Sequence, residues 1–331
     1  MESAVLDDGR GTRHGRIGWQ AALRQPALPA QKKRKRGQDM SARIRWFLLV
    51  CGLVLPWTAR SQGVSTSIID EVVGRPGQKT GDVYKVGFPR TDLQVTVRGL
   101  AIKPGLALGS WAAFTGTDDH AMVMGDLVLL EDEVSPVVDK LRGSGFEITA
   151  IHNHLIDETP HLLYVHYMGH GAVAELAAAL RTALSVSKTP LGKPAPSAEE
   201  STPPAWVNAV QDSIGGKGNF KGGVLSYGVA RRDQIAMDGM TVAPTSGVAE
   251  AINFQAADAG QVATTGDFVL TASEVNPVLS ELRAHGITIT ALHTHMLTEQ
   301  PRLFFMHFWA VGDPHSVGAG IKAVLSHIAV K

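Results

Sequence analysis

The residues best suited to chemistry in this sequence are histidines that occur in two sets of three. The sets are His152, His154 and His166, and His293, His295 and His307. Residues at positions i and i+2 of a β-strand point to the same face, so each His-x-His pair would present two imidazoles side by side. Three neutral imidazoles with an open fourth position suit zinc, and also copper or iron. The spacing therefore predicts a metal site at one or both sets.

The third histidine of each set joins the other two only in certain strand registers. If His152 pairs with His166 across a hairpin, the three imidazoles converge, whereas a slip by one residue would turn His166 to the opposite face. Two acidic residues, Glu158 and Glu299, lie in the connecting turns. Either could supply a fourth ligand or a general base for bound water.

A structural interpretation of the histidines stands beside the chemical one. Ile148 and Ala150 share the histidine face of the first strand, and Ile151 and Leu155 occupy the other face. Buried, hydrogen-bonded histidines would fit such apolar surroundings, and so would a ligand site without metal. The Gly-Asp pairs at 125–126 and 266–267 are typical of tight turns or of an aspartate bonded to local backbone.

The two histidine sets belong to an internal repeat. When the chain is shifted by 141 residues, Gly125–Leu129 falls on Gly266–Leu270, and the register continues without a gap through His166 and His307. Further upstream, Gly99 falls on Gly239 after a slip of one residue. A repeat of this length predicts two copies of one folding unit.

Each copy shows short β-rich segments followed by strands and helices. The predicted strands of the first copy are 83–88, 93–97, 110–114, 121–130, 146–155 and 162–168, and the predicted helices are 131–144 and 172–184. This order favours an α+β fold with a mainly antiparallel sheet and two helices in each copy, the copies packed as a pseudo-dimer. The aromatic residues Phe304, Phe305, Phe308 and Trp309 are expected in the core or between the copies.

The chain divides into five segments. Residues 63–184 and 206–331 form the copies, and the Pro-rich stretch 185–205 reads as a linker. From Met40 a basic start, an apolar run and the Ala59–Ser61 pattern indicate a signal peptide over residues 40–61. Residues 1–39 fit no part of it and are interpreted as a non-native upstream extension. The mature protein is therefore expected to be periplasmic or secreted.

Charge and cysteine content exclude several functions. Residues 1–61 hold 12 of the 31 basic and 4 of the 31 acidic side chains, which leaves 19 basic against 27 acidic side chains beyond them. An acidic body without basic clusters argues against nucleic acid as a partner. The only cysteine, Cys51, lies in the apolar run, which is too short to span a membrane. The mature chain would have no thiolate chemistry, and no nucleotide-binding fingerprint occurs.

Several segments resemble the LppY/LpqO family of exported bacterial proteins. They are Ala150–Leu155 with Pro160 and His166, Ala291–Met296 with Pro301–Trp309, and, near the start, Gly81–Tyr84 and Phe88–Asp92. The resemblance implies a domain of unknown function in tandem copies, lipid-anchored in some members, and no established reaction. Thr294 stands where the family usually has Asn, and Cys51 does not form a convincing lipid-attachment box, which favours a soluble form.

Three hypotheses about function follow. The first is an exported protein that binds a divalent metal or a small ligand through its His-x-His clusters, as a monomer with internal pseudo-symmetry or a small homo-oligomer. The second is a metal-dependent hydrolase or oxygenase that uses His152, His154 and His166 with Glu158 as base. The third is an envelope interaction protein whose histidines are structural.

Overall fold

The computed structural model describes residues 63–193 and 202–331, and both ranges belong to one compact unit. The first copy contains α1 (Thr66–Val73), β1 (Gln78–Thr80), β2 (Val83–Pro89), β3 (Val95–Val97), β4 (Leu100–Ile102), α2 (Pro104–Ala107), β5 (Gly109–Gly116), β6 (Ala121–Leu130), α3 (Glu131–Gly143), β7 (Glu147–His152), β8 (Glu158–Thr159), β9 (Leu162–Gly171) and α4 (Val173–Leu184). The second contains α5 (Ala205–Ile214), β10 (Asn219–Lys221), β11 (Val224–Ala230), β12 (Ile235–Met237), β13 (Met240–Val242), β14 (Ala249–Ala256), β15 (Val262–Leu270), α6 (Ala272–Ala284), β16 (Thr288–His293), β17 (Phe304–Gly312) and α7 (Pro314–Leu325).

Each copy is built on one six-stranded antiparallel sheet. The strand order is β1-β2-β5-β6-β9-β7 in the first copy and β10-β11-β14-β15-β17-β16 in the second. Equivalent strands therefore take equivalent places, as the repeat requires. The α+β class, the tandem copies and the mainly antiparallel sheet are confirmed.

The number of helices differs from the prediction of two per copy. α3 and α4, with α6 and α7 in the second copy, match the predicted pair, but α1 and α5 add a third helix to each copy, and the four-residue α2 is a fourth helix in the first copy. α1 has only eight residues, which is about two turns. So short a segment gives too few apolar positions for the helical period to stand out.

The two faces of each sheet are buried against different partners. One face packs on the copy's own helices, where residues such as Phe146 and Leu180 form a core. The opposite face packs against the other copy, because Tyr164 and Trp309 share one buried cluster and Met168 and Phe305 share another. Strand β6 is buried along both faces for nine of its ten residues. The central strands thus lie between helices and the neighbouring copy.

Both expectations for the aromatic run of β17 are met at different positions. Phe304 and Phe308 pack in the core beneath the second copy's helices. Phe305 and Trp309 point the other way and belong to the clusters between the copies. Alternation along a strand separates the two sets.

Three predicted segments lie wholly or partly outside the residues that the structure describes. Residues 1–39 and 40–61 lie outside the described residues, as do residues 194–201 of the predicted linker. Residues 185–193 contain neither helix nor strand. Among the described helices, none is long and apolar enough to cross a membrane.

Candidate functional site: a histidine cluster between the copies

All six repeated histidines meet in one place, at the interface of the two copies. The ring centres of His152 and His293 are 3.5 Å apart. Two further pairs stack closely across the interface, His154 with His307 and His166 with His295, both with ring centres 3.7 Å apart. Exchanging the copies converts one of these pairs into the other, as expected for an approximate two-fold axis. The two predicted sets therefore form a single cluster, which we call the six-histidine cluster.

Strand register explains why each third histidine faces the other two. His166 pairs with Ala150, and His152 pairs with Tyr164, so the register differs by two residues from direct pairing of His152 with His166. An even offset preserves the face to which a side chain points, whereas an odd one reverses it. A β-bulge between Ile148 and Ala150 precedes the motif, and its equivalent lies between Ile289 and Ala291.

Main-chain carbonyls orient three of the rings. Nδ1 of His152 lies 3.1 Å from the carbonyl of Asn153, and Nδ1 of His307 lies 3.0 Å from the carbonyl of Gly266. Nδ1 of His293 faces the carbonyl of Thr294 at 3.3 Å. A carbonyl can only accept, so these Nδ1 atoms donate, and a neutral ring then keeps its lone pair on Nε2.

The Nε2 atoms are buried without partners. In the described part of the chain, none of the six makes a hydrogen bond to a protein group. Nitrogens of His152, His154 and His166 lie within 4.8 Å of one another, and so do nitrogens of His152, His293, His295 and His307. Buried polar atoms normally have partners, so six unpartnered Nε2 atoms in one place form a donor set that a ligand could use.

Burial keeps the imidazoles neutral. It lowers the pKa of His152 to about 3, with repulsion from His293 as a second cause, and lowers the pKa of His293 to about 4. The pKa values of the other four are also held well below the ordinary value, first by burial and then by neighbouring imidazoles. Neutral imidazole is the form that binds a metal ion.

Two aspartates adjoin the cluster, Asp126 buried and Asp267 partly buried. Asp126 lies opposite His166 on the neighbouring strand, with Oδ1 3.7 Å from Nε2 of that ring. Asp267 takes the same position beside His307, with its Oδ1 3.6 Å from Nδ1. Each Oδ1 is buried without a hydrogen-bond partner among the described residues. The Gly-Asp pattern predicted a tight turn or an aspartate bonded to local backbone at these positions, yet its recurrence in both copies was the signal that could have identified them.

The pKa values of both aspartates are shifted upward. Burial raises the pKa of Asp126 to about 8, and attraction to Lys85 opposes the shift. Burial also raises the pKa of Asp267 well above its ordinary value, with repulsion from Glu250 and Asp126 adding to it. A metal ion would reverse this cost, because a nearby cation stabilises the carboxylate.

The glycine before each aspartate allows the strands to pack closely. A Cβ on Gly125 would collide with the carbonyl oxygen of Trp111 and the hydroxyl of Tyr167. A Cβ on Gly266 would collide with the carbonyl oxygen of Ala251. The Gly-Asp pair thus combines close strand contact with a carboxyl group beside the histidines.

The two glutamates proposed as a fourth ligand or a base, Glu158 and Glu299, do not join the histidine cluster. Oε1 of Glu158 accepts from the backbone N–H of Leu162 and lies 2.8 Å from Nδ1 of His161. Oε1 of Glu299 accepts from the backbone N–H of Leu303 at 2.9 Å. Both carboxylates are buried at the hairpin, and neither belongs to the groups of clustered ligand atoms.

A cavity connects the cluster to the surface. Its volume is about 260 Å³, and Asp126, Asp267, His154, His166 and His295 line its inner end. Lys85 lies along the wall, with Nζ 3.9 Å from the ring centre of Trp111 and 3.3 Å from the carbonyl oxygen of Thr245. Burial lowers the pKa of Lys85 to about 8, with Asp126 opposing the shift. The cavity therefore borders the cluster, while the Nε2 atoms themselves stay buried.

These donors fit a transition-metal site. Imidazole nitrogens and carboxylate oxygens are ligands that zinc, copper and iron accept, and carbonyl-held Nδ1–H groups are the usual support for a metal-bound histidine. His152 belongs to both groups of clustered nitrogens, so the cluster offers ligands for one ion or for two neighbouring ions.

Fold and cluster together define a protein of two α+β copies that share one buried histidine-aspartate site. The family model described as "Domain of Unknown Function (DUF1259)" matches residues 67–186 and 208–327, and the chain belongs to this family. Tandem copies of a domain of unknown function are thereby confirmed, while the finer LppY/LpqO resemblance stays a prediction.

Comparisons with individual proteins add little. No curated protein matches the chain. Among solved structures, a trimeric bacterial microcompartment shell protein, PduB, matches at 12% identity and a TM-score of 0.18. The match covers 76% of this chain and 88% of the shell-protein chain. A likeness this weak carries no argument about fold or function.

Proposed function

We propose that the protein binds a divalent transition metal at the six-histidine cluster, as an exported binding protein. The observation that supports it most is the set of six buried Nε2 atoms without a protein partner. A purely structural cluster would pair these nitrogens, because an unsatisfied buried polar atom costs about 1–3 kcal/mol. Asp126 and Asp267 would complete the ligand set and balance the charge of the ion.

The enzymatic alternative, a metal-dependent hydrolase or oxygenase, is favoured by the cavity. A carrier or structural site needs no space beside its ligands, whereas this one opens into about 260 Å³. Asp126 would replace Glu158 as the candidate base, because it lies beside His166 and at the inner end of the cavity. Burial that raises the pKa of Asp126 to about 8 makes it a stronger base than an ordinary carboxylate.

Elemental analysis of the purified full chain tests the proposal. The double variant His152→Ala with His293→Ala removes the stacked central pair, and His170→Ala with His315→Ala is the matched control outside the cluster. We expect zinc, copper or iron close to stoichiometry in the wild type and the control, and its loss in the cluster variant. Circular dichroism verifies that each variant is folded.

Metal-free protein that cannot be loaded would contradict the proposal. If the cluster variant were then merely less stable, the third hypothesis, an envelope interaction protein with structural histidines, would stand. Export is a separate proposal that rests on residues 40–61. Cell fractionation with N-terminal sequencing tests it, and we expect periplasmic or secreted protein that begins after Ser61.

A further inference from the structure

Methionines concentrate on one side of the six-histidine cluster. Of the nine methionines in the chain, five are buried in one hydrophobic cluster between the copies and a sixth is half-buried against it. They are Met122, Met124, Met168, Met237 and Met296, with Met240 at the edge. Both copies contribute to the group, which we call the methionine cluster.

The repeat supplies an internal comparison for this group. A second buried cluster between the copies is related to the methionine cluster by exchange of the two copies. At its equivalent positions it has Val97, Leu100 and Leu155 in place of Met237, Met240 and Met296. The positions equivalent to Met122, Met124 and Met168 hold other residues as well, namely Ala263, Thr265 and Trp309. The fold therefore packs this interface without methionine, so filling space does not account for six of them.

Four of these side chains surround a small void beside two histidines. Met124, Met168, Met237 and Met296 line a cavity of about 10 Å³ together with His166 and His295. That volume is about the size of one water-sized sphere, enough for a single small species. His166 and His295 are 6% and 7% exposed, and Nε2 of each has no protein partner in the described residues.

Local structure directs these groups to one place. His166 and Met168 are two residues apart on β9 and share its inner face. Met124 pairs directly with Met168 across the ladder. Met296 follows His295 in the second copy, so methionine side chains from both copies line the same small cavity as this pair of imidazoles.

We propose that Met124, Met168, Met237 and Met296 form a copper(I) site together with the imidazoles of His166 and His295. Thioether sulfur is a soft ligand that copper(I) accepts and that the harder divalent ions use little. All six donors are uncharged, and a monovalent ion loses less solvation free energy than a divalent one when it enters so buried a site. The inference rests on the proposed metal function, because both imidazoles belong to the six-histidine cluster.

Copper(I) titration of the full chain, under anaerobic conditions and in competition with a colorimetric copper(I) chelator, tests the inference. The variant replaces Met124, Met168, Met237 and Met296 with Leu, a change that conserves volume. Loss of an outer-sphere partner already costs about 10–100-fold in metal affinity, so loss of the thioethers should weaken copper(I) binding at least about tenfold. Zinc binding, which uses the imidazoles and carboxylates, should change less than twofold.

The matched control is Met122→Leu with Met306→Leu. Both residues are buried, but neither lines the small cavity. This control should keep the affinity of the wild type for copper(I). X-ray absorption of the copper(I)-loaded wild type should show sulfur scattering, and Met237→Leu alone should reduce it if the fourfold variant does not fold.

The outcomes separate the two proposals. Unchanged copper(I) affinity in the methionine variant, or copper(I) without sulfur neighbours, overturns the copper(I) site and leaves metal binding at the six-histidine cluster intact. A chain that takes up neither zinc nor copper(I) overturns both. Copper(I) binding that survives His152→Ala with His293→Ala but depends on the methionines supports the copper(I) site alone.

Discussion

At the scale of single residues, all six clustered histidines were identified from spacing and repetition. The two aspartates were not, because a Gly-Asp pair at the level of sequence is typical of turns. Only the pairing of Asp126 with His166, and of Asp267 with His307, places the carboxyl groups beside the imidazoles. These contacts join residues 40 positions apart in the sequence. Hydrophobic periodicity describes residues a few positions apart and cannot predict such contacts.

The first prediction concerns protons released when metal binds. At pH 7 the imidazoles are already neutral, whereas the raised pKa of Asp126, about 8, keeps that carboxyl mostly protonated. A metal ion that binds Asp126 should therefore release about one proton from it, and Asp126→Asn should remove this contribution. The raised pKa of Asp267 should add to the release when that carboxyl also binds. Calorimetric titration with zinc in buffers of different ionisation enthalpy measures the number of protons released per chain.

Asp119→Asn, an exposed change two residues from β6, is the control and should leave the count unaltered. Metal binding without proton release at pH 7 would show that the carboxyl groups are not ligands. Zinc affinity should fall about tenfold or more in Asp126→Asn, because a direct ligand matters at least as much as an outer partner.

At the scale of elements, the strand pairs that carry the histidines were located within a few residues. The hairpin register could not be derived, since one bulge in each copy shifts it. The turn was also more structured than expected, because Glu158–Thr159 forms β8 and pairs with β3. Pairing between such short segments depends on tertiary packing, which the local pattern does not contain.

The second prediction is that Gly266→Ala disturbs both stability and the site. The added methyl group would meet the Ala251 carbonyl, a backbone atom that can move only if β14 and β15 separate. Overpacking of this kind costs about 1–3 kcal/mol, and it should also displace the neighbouring Asp267. Urea denaturation and zinc titration should both show the loss.

Gly228→Ala, in the adjoining region of the same sheet, is a suitable control because a Cβ there meets nothing within 4 Å. It should leave the midpoint and the metal affinity near those of the wild type. Equal effects of the two substitutions would rule out the collision as the cause.

The third prediction concerns the buried ion pair that attaches α3 to the sheet. The Arg90 side chain is 0% exposed and contacts Glu133 at 2.6 Å and Asp92 at 2.9 Å. Glu133 also accepts from the N–H of Leu130 at the start of the helix, and Arg231 and Glu274 repeat the arrangement in the second copy. Removing one partner of a buried pair leaves an uncompensated charge.

Glu133→Ala should therefore lower the free energy of unfolding by about 3 kcal/mol. This value is at the low end of the range for breaking a buried ion pair, because Asp92 still pairs with Arg90. Urea denaturation measures the loss, and Glu131→Ala, exposed in the same helical turn, should cost less than about 0.5 kcal/mol. A loss below about 1 kcal/mol for Glu133→Ala would contradict this account.

At the scale of the whole molecule, the repeat predicted two copies and a pseudo-dimer, but not that the two histidine sets merge. Each set looked complete in its own sequence, with three imidazoles per copy. The stacking of His152 on His293 shows that the site exists only where the copies meet. A repeat alignment shows which residues are equivalent and says nothing about the surface through which the copies touch.

The last prediction is the pH dependence of stability in the metal-free protein. The pKa values of His152 and His293, about 3 and about 4, lie below the 6.5 of an unfolded chain, and the other four clustered histidines are shifted the same way. Below pH 6.5 the unfolded chain therefore binds more protons at these groups, so stability falls as the solution becomes more acidic. The pKa values of Asp126 and Glu250, both about 8, have the opposite effect, because the unfolded carboxyls lose protons first as pH rises.

Six histidines outweigh the few raised carboxyls below pH 6, and the carboxyls dominate from pH 7 to about pH 8, above which the lowered pKa of Lys85 acts in the opposite direction. Stability of the metal-free chain should therefore peak at about pH 6.5 and decline both toward acid and toward about pH 8. Bound metal should raise the unfolding midpoint and move the peak upward, because it favours ionised Asp126 and Asp267 and excludes protons from the imidazoles. Thermal unfolding from pH 4.5 to pH 9, with chelator and with zinc, tests both parts. A metal-free protein that becomes steadily more stable from pH 6.5 to pH 8 would mean that the carboxyl groups are not held protonated in the fold.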